Sequence, residues 1–165
     1  MPYSFTKKGT LKFIHRIIAT GFGAGYAPFA PGTAGALLAC LLLGGYVQYI
    51  GINNNTNFLI GFTIIIILTT LLGVWATRNL QAEWGEDPSK VVVDEMIGVW
   101  INLLFVPLTW QNIFIGFVLF RFFDIAKPLG IRKMEAFENG WGVMLDDVLA
   151  GIYGNIVLQG ILFFL

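Results

Sequence analysis

Two apolar runs, residues 33–50 and 58–77, each approach the roughly 20 residues that a helix needs to cross a bilayer, and they limit what this chain can fold into. Backbone inside hydrocarbon must satisfy its own hydrogen bonds, so runs of this kind form helices. Three more apolar stretches follow at residues 91–108, 112–125 and 141–165. The first two of these are short: they span only with little tilt, or form a helical hairpin that enters without crossing fully. The expected architecture is an all-α, integral-membrane helical bundle of about five apolar helices, the third and fourth short, in a single domain over residues 1–165. Composition agrees, with 56% hydrophobic and 12% charged residues against roughly 25% charged in soluble domains. Ten Lys and Arg balance ten Asp and Glu, and no dense basic run points to nucleic acid. Cys40 is the lone cysteine, which excludes an internal disulfide or a thiolate metal cluster and leaves a packing role. No apolar stretch before Gly21 is long enough for the core of a signal peptide, so the amino terminus is expected to be kept.

Positive charges concentrate in cytoplasmic loops of membrane proteins. Here Lys7, Lys8, Lys12 and Arg16 precede the first run, Arg78 and Lys90 follow the second, and Lys127, Arg132 and Lys133 follow the fourth. The loops at residues 51–57 and 108–111 have none. Five spans, amino terminus inside and carboxyl terminus outside, satisfy this alternation. Trp75, Trp84, Trp110 and Trp141 fall near span ends as interface anchors, and His15, in a basic segment, reads as a solvated interfacial residue.

This topology gathers the unusual polar residues at one membrane face. Asp94 and Glu95 enter the third helix from the cytoplasm, Arg121 and Asp124 leave the fourth toward it, and Asp146 and Asp147 enter the fifth from it. Helix-dipole stabilisation is worth roughly 0.3 to 1 kcal/mol and an Arg121–Asp124 pair about 0.2 to 0.5 kcal/mol. An acid in the apolar zone costs up to about 2.5 to 3.5 kcal/mol at mid-membrane. Five acids in sequences such as VVVDEMIGVW and GVMLDDVLAG therefore call for a compensating charge. A divalent cation supplies one, and all-oxygen ligands without His or Cys suit Mg²⁺, which takes one or two carboxylates together with substrate phosphate. The segment GFGAGYAPFAPGTAG is a phosphate-binding candidate, because its glycines let backbone amides approach an anion ahead of a positively polarised helix start. On its own that segment reads equally as a turn with Thr33 as an amino-terminal cap.

The segments GFGAGYAPFAPGTAGA, VVVDEMIGVW, FRFFDIAKPLGIRK and GWGVMLDDVLAGIYGN, which together cover most of residues 21–155, closely resemble the consecutive signatures of the phosphatidylglycerophosphatase A family. The resemblance implies Mg²⁺-dependent removal of the terminal phosphate of phosphatidylglycerol phosphate at a bacterial inner membrane, with a phospholipid as substrate and the site at the cytoplasmic face. It places the acidic, catalytic and metal-ligating positions on Asp94, Glu95, Asp124, Asp146 and Asp147, with Arg121, Lys127 and Arg132 as basic companions. Gly21, Gly23, Pro31, Gly32 and Thr33 fall on the glycine-rich signature, and Gly32 and Thr33 join the basic residues as phosphate-binding candidates. Three departures stand out: Ala36 where a serine is usual, Gly130 where a proline is usual, and Glu138, Asn139 and Gly140 in place of a His-Gly-Gly-like stretch. The expected chemistry is metal-assisted attack of water on the phosphomonoester, or a carboxylate nucleophile forming an aspartyl phosphate. The alternative from another class is an ion-coupled transporter, since intramembrane acids also mark ion pathways.

Overall fold

The computed structural model describes residues 7–51, 55–85 and 88–164. Among these the chain is helical, with no strand. Six α-helices run α1 (Lys7–Ala19), α2 (Pro31–Ile50), α3 (Thr56–Trp84), α4 (Val93–Asn102), α5 (Trp110–Ala126) and α6 (Trp141–Phe164), with 3₁₀ turns at Ala24–Tyr26 and Ile131–Ala136. The helix ends follow local chemistry. Pro31 opens α2, where its missing N–H is harmless, and Gly51 closes it in the left-handed conformation. The side chains of Asn55 and Thr109 cap α3 and α5 by accepting from the amides of Phe58 and Asn112. Of the expected turn after α2, Asn53 and Asn54 lie outside the described residues, as do Glu86 and Asp87 in the polar loop after α3.

Among the described residues three helices, α2, α3 and α6, are long and apolar enough to cross a membrane, and the short α4 and α5 fit the hairpin alternative to five full spans. The stretch 91–108 does not stay helical. Its helix α4 has ten residues, about 15 Å of rise, and the chain turns through residues 103–109 into the 17 residues of α5. The hairpin's far end reaches α2, where the Trp110 indole packs so closely on Gly44 that a Cβ there would clash with it. An apolar sequence can stop being helical here because its freed carbonyls find partners inside the protein. Asn155 on α6 donates to the carbonyls of Asn102 and Leu104 at 2.8 and 2.7 Å, and the buried Asn102 side chain donates to the Gly116 carbonyl of α5. Non-helical backbone at membrane depth is tolerated when it is enclosed by protein in this way.

Helix α4 is the hub, packed against α2, α3, α5 and α6. Its contact with α6 is backbone to backbone: a Cβ on Gly151 would run into the Gly98 carbonyl, and one on Gly98 would meet the Phe120 ring and the Asp147 carbonyl. One turn further, Gly154 lies against the Asn102 side chain. Helix α1 crosses α3, tied by Arg16 and Lys12 to Glu83. Its His15 is buried edge-on against Trp75, with ring centroids 4.2 Å apart, which corrects the solvated reading of that residue. Burial pushes the His15 pKa down, so the imidazole is neutral there. Cys40 is buried, as its packing role requires.

Asn155→Leu strips two enclosed carbonyls of their donor, at about 1–3 kcal/mol for each buried group left unpaired. Thermal unfolding in detergent is expected to show a marked drop in midpoint. Gly160→Ala, where an added Cβ meets nothing within 4 Å, is expected to leave the midpoint unchanged or raise it.

Candidate active site

Asp94 stands one helical turn before Gly98, and Asp147 one turn before Gly151, so the close approach of α4 and α6 sets these two acids side by side. Glu95 turns from the next position toward α2 and α5. Ligand oxygens of Asp94, Glu95 and Asp147 lie within 4.8 Å of one another, with both aspartates buried. Glu95 Oε1 sits so close to Gly32 that a Cβ on that glycine would overlap it, and the same Cβ would stand 3.3 Å from Arg121 Nη1. The glycine at the start of α2 therefore admits a carboxylate and a guanidinium to the same spot.

The two remaining acids are paired. Asp124 Oδ2 accepts from Arg121 one turn earlier on α5. Asp146 Oδ2 accepts from Lys127 Nζ at 2.6 Å, and its other oxygen accepts from the Asp147 amide at 3.0 Å. Lys127 also donates to Glu135 at 2.6 Å. Burial disfavours the Lys127 charge, but the hydrogen bonds to Asp146 and Glu135 outweigh it and push the pKa up, so this ammonium stays protonated. Lys127 is held by its backbone too: it caps α5 in the left-handed conformation at φ 44°.

All five acids, with Arg121, Lys127 and Gly32, line one cavity of about 1010 Å³. Thr33 and Arg132 are not among its lining residues, and Arg132 is exposed. The cavity adds residues that had given no sequence signal: Gln81, Ser89 and Glu135. They sit in polar surroundings where a further polar side chain is unremarkable. Three of the positions that depart from the family pattern, Glu138, Asn139 and Gly140, also line the cavity.

The donor set suits a hard cation. Two ionised carboxylates at this spacing repel by about 3–4 kcal/mol at an effective dielectric of 20, and Arg121 and Lys127 are already engaged by Asp124 and Asp146. Asp94 Oδ1 and Glu95 Oε2 are buried without a hydrogen-bond partner. Enclosed, unpartnered carboxylate oxygens carry a large desolvation penalty unless something positive meets them. Asp94, Glu95 and Asp147 are the residues that could hold a metal ion.

The family model for phosphatidylglycerophosphatase A matches residues 17–162. The chain belongs to the phosphatidylglycerophosphatase A family. Its similarity extends to a Haemophilus influenzae protein named phosphatidylglycerophosphatase A, 42% identical over 94% of this chain and 92% of the relative. An Escherichia coli K12 protein of the same name is 32% identical over 90% of this chain and 81% of the relative. A Bacteroides thetaiotaomicron protein, whose provisional name is phosphatidylinositol-3-phosphatase, is 50% identical over 88% of this chain and 92% of the relative. No solved structure matches the chain. As a phosphatidylglycerophosphatase A family member the chain is a phosphatase, and its enclosed acids belong to a membrane-embedded hydrolase.

Gly32→Ala provides a steric test of this site. Alanine is the better helix former, and the atom it displaces is the end of a Glu95 side chain, so the unfolding midpoint is expected to hold or rise. Misplacement of a reacting group by about 1 Å can cost on the order of 100-fold in rate. Phosphatase turnover is accordingly expected to fall by about one to two orders of magnitude, measured as inorganic phosphate released by the purified variant.

Proposed function

We propose that this protein hydrolyses the terminal phosphomonoester of phosphatidylglycerol phosphate to phosphatidylglycerol and inorganic phosphate, with Mg²⁺ held by Asp94, Glu95 and Asp147. The observation that carries the reading is the trio of carboxylates within 4.8 Å of one another, two of their oxygens enclosed and unpartnered, in a cavity that also holds Arg121 and Lys127. When bound, Mg²⁺ supplies positive charge that offsets the carboxylates and draws electron density from the phosphoryl group. Arg121, at the Gly32 end of the cavity, binds phosphate oxygens through its guanidinium. The high proton affinity of Lys127 suits it to neutralising negative charge more than to releasing a proton to the leaving oxygen. Both oxygens of Asp146 are engaged, by Lys127 and by the Asp147 amide, which makes it a positioning residue. Asp124 keeps one oxygen outside its pair with Arg121 and is the better acceptor for the proton of an attacking water.

The same reading sets the cavity at the cytoplasmic face of a bacterial inner membrane. Lys90, Lys127, Arg132 and Lys133 lie in the segments that connect α3 to α4 and α5 to α6, Arg78 lies within the last two turns of α3, and the turn at residues 103–109 carries no charge. With α4 and α5 as a hairpin, three spans keep the inside-to-outside orientation that five would have.

A second substrate is favoured by one observation. The relative at 50% identity bears the phosphatidylinositol-3-phosphatase name, and a cavity of about 1010 Å³ has room for a cyclic headgroup. Both readings meet the same assay: phosphate release from phosphatidylglycerol phosphate, phosphatidylinositol 3-phosphate and phosphatidic acid, with Mg²⁺ or EDTA. The expected result is highest kcat/KM on phosphatidylglycerol phosphate, loss of turnover in EDTA and recovery with Mg²⁺. Asp94→Asn and Asp147→Asn are each expected to lower kcat by about 100-fold or more, in the range seen when a charge-stabilising group is removed. Turnover indifferent to EDTA and to both variants would discard the metal reading. Ion flux through proteoliposomes without phosphate release would favour a transporter.

A further inference from the structure

In the segments that carry the cavity lining the backbone adopts the left-handed conformation at several non-glycine residues. Phe22, Ala30, Lys127, Leu129 and Asn139 all have positive φ, and three of them, Ala30, Lys127 and Asn139, line the cavity itself. Left-handed backbone is uncommon outside glycine and is kept where the surroundings impose it. Two of these residues, Phe22 and Leu129, hold large apolar side chains outward, 80% and 78% exposed. Phe29, beside Ala30, is 88% exposed, and Ile125, on the cavity wall, is 70% exposed. Large apolar groups presented outward are unfavourable in water, and that cost is removed where they meet lipid.

The cavity rim has two unlike sides. One is apolar: Ala30 at the start of α2 and Ile125 near the end of α5, beyond the place where Gly32 meets Arg121. The other is mainly polar, with Ser89, Glu138 and Asn139 exposed beside Phe137. A lipid monophosphate has the same division. Its phosphate suits Arg121 and Lys127, and its glycerol esters and acyl chains suit an apolar edge continuous with them. We infer that the Phe29–Ala30 edge of α2 and the Phe122–Ile125 edge of α5 form a lateral portal through which the lipid substrate slides from the bilayer, while inorganic phosphate leaves past Ser89, Glu138 and Asn139. This inference rests on the lipid phosphatase reading and deepens it by naming the residues that seat the acyl-glycerol part. Phe29 and Ile125 act on the substrate's lipid portion and touch no reacting atom.

The test uses the full chain reconstituted in vesicles and two readouts. In the first, Phe29→Gln and Ile125→Gln are assayed on long-chain phosphatidylglycerol phosphate in the bilayer and on its dihexanoyl, water-dispersed counterpart. A portal predicts that kcat/KM on the long-chain lipid falls by about tenfold or more, mainly through KM, with a loss under about twofold on the short-chain one. Phe163→Gln, on an equally exposed side chain near the end of α6, is expected to change neither. Equal loss on both substrates, or no loss on either, overturns the portal. In the second readout, a phosphatidylglycerol phosphate analogue with a diazirine on the acyl carbons next to the esters is photolysed in the vesicles, and cross-linked peptides are mapped. Adducts on residues 28–31 and 122–126 support the portal, and adducts confined to other helix faces overturn it. Because cross-linking needs no turnover, a wild-type protein that releases no phosphate from either substrate would end the phosphatase reading while the map still judged the portal.

Discussion

The contact on which the site depends is the meeting of α4 and α6 backbones at Gly98 and Gly151. Two helices that enter from the same side and touch without intervening side chains bring the residues one turn earlier, Asp94 and Asp147, into the same small volume. Any larger residue at that crossing would push the helices apart and separate the carboxylates. The site is thus a product of helix packing, and its charges are held together against their own repulsion by a contact several ångströms deeper in the fold.

Pairing then sorts the acids. Arg121 takes Asp124 and Lys127 takes Asp146, which leaves Asp94, Glu95 and Asp147 facing one another with no ion pair of their own among the described residues. In a low-dielectric surround such an arrangement suits a positive ion. The α4–α5 hairpin serves the same end. By turning back inside the protein, with Asn155 and Asn102 satisfying its carbonyls, it lets α5 return Arg121 and Asp124 to the face at which α4 began. Two full spans would bring them to that face as well, but the short hairpin packs them tightly around α4.

Much of this was legible in the residues. Acids inside apolar sequence are conspicuous because their desolvation is hard to offset, so Asp94, Glu95, Asp124, Asp146 and Asp147 stood out, and all of them line the cavity. Gly32 also gives steric room to Glu95 and Arg121, a use that the glycine-rich run had not suggested. Thr33, from the glycine-rich run, and Arg132, which the family resemblance implied, do not line the cavity. Glu135, which shares Lys127 with Asp146, had no signal, since one more glutamate in a charged loop has an ordinary solvated explanation.

By itself the sequence determined that the chain is helical and membrane-seeking, which residues are out of place in hydrocarbon, and what the inventory of charge is. These are local properties, set by the transfer free energy of each side chain and by runs of neighbours. Only the tertiary structure decided that 91–108 is a ten-residue helix and a turn, that His15 is buried, and which three carboxylates meet. Those outcomes turn on groups far apart in the chain: a carbonyl at 102 meeting an amide at 155, and a bare α-carbon at 98 meeting one at 151. Hydropathy cannot report either contact, because each exists only once the helices have packed.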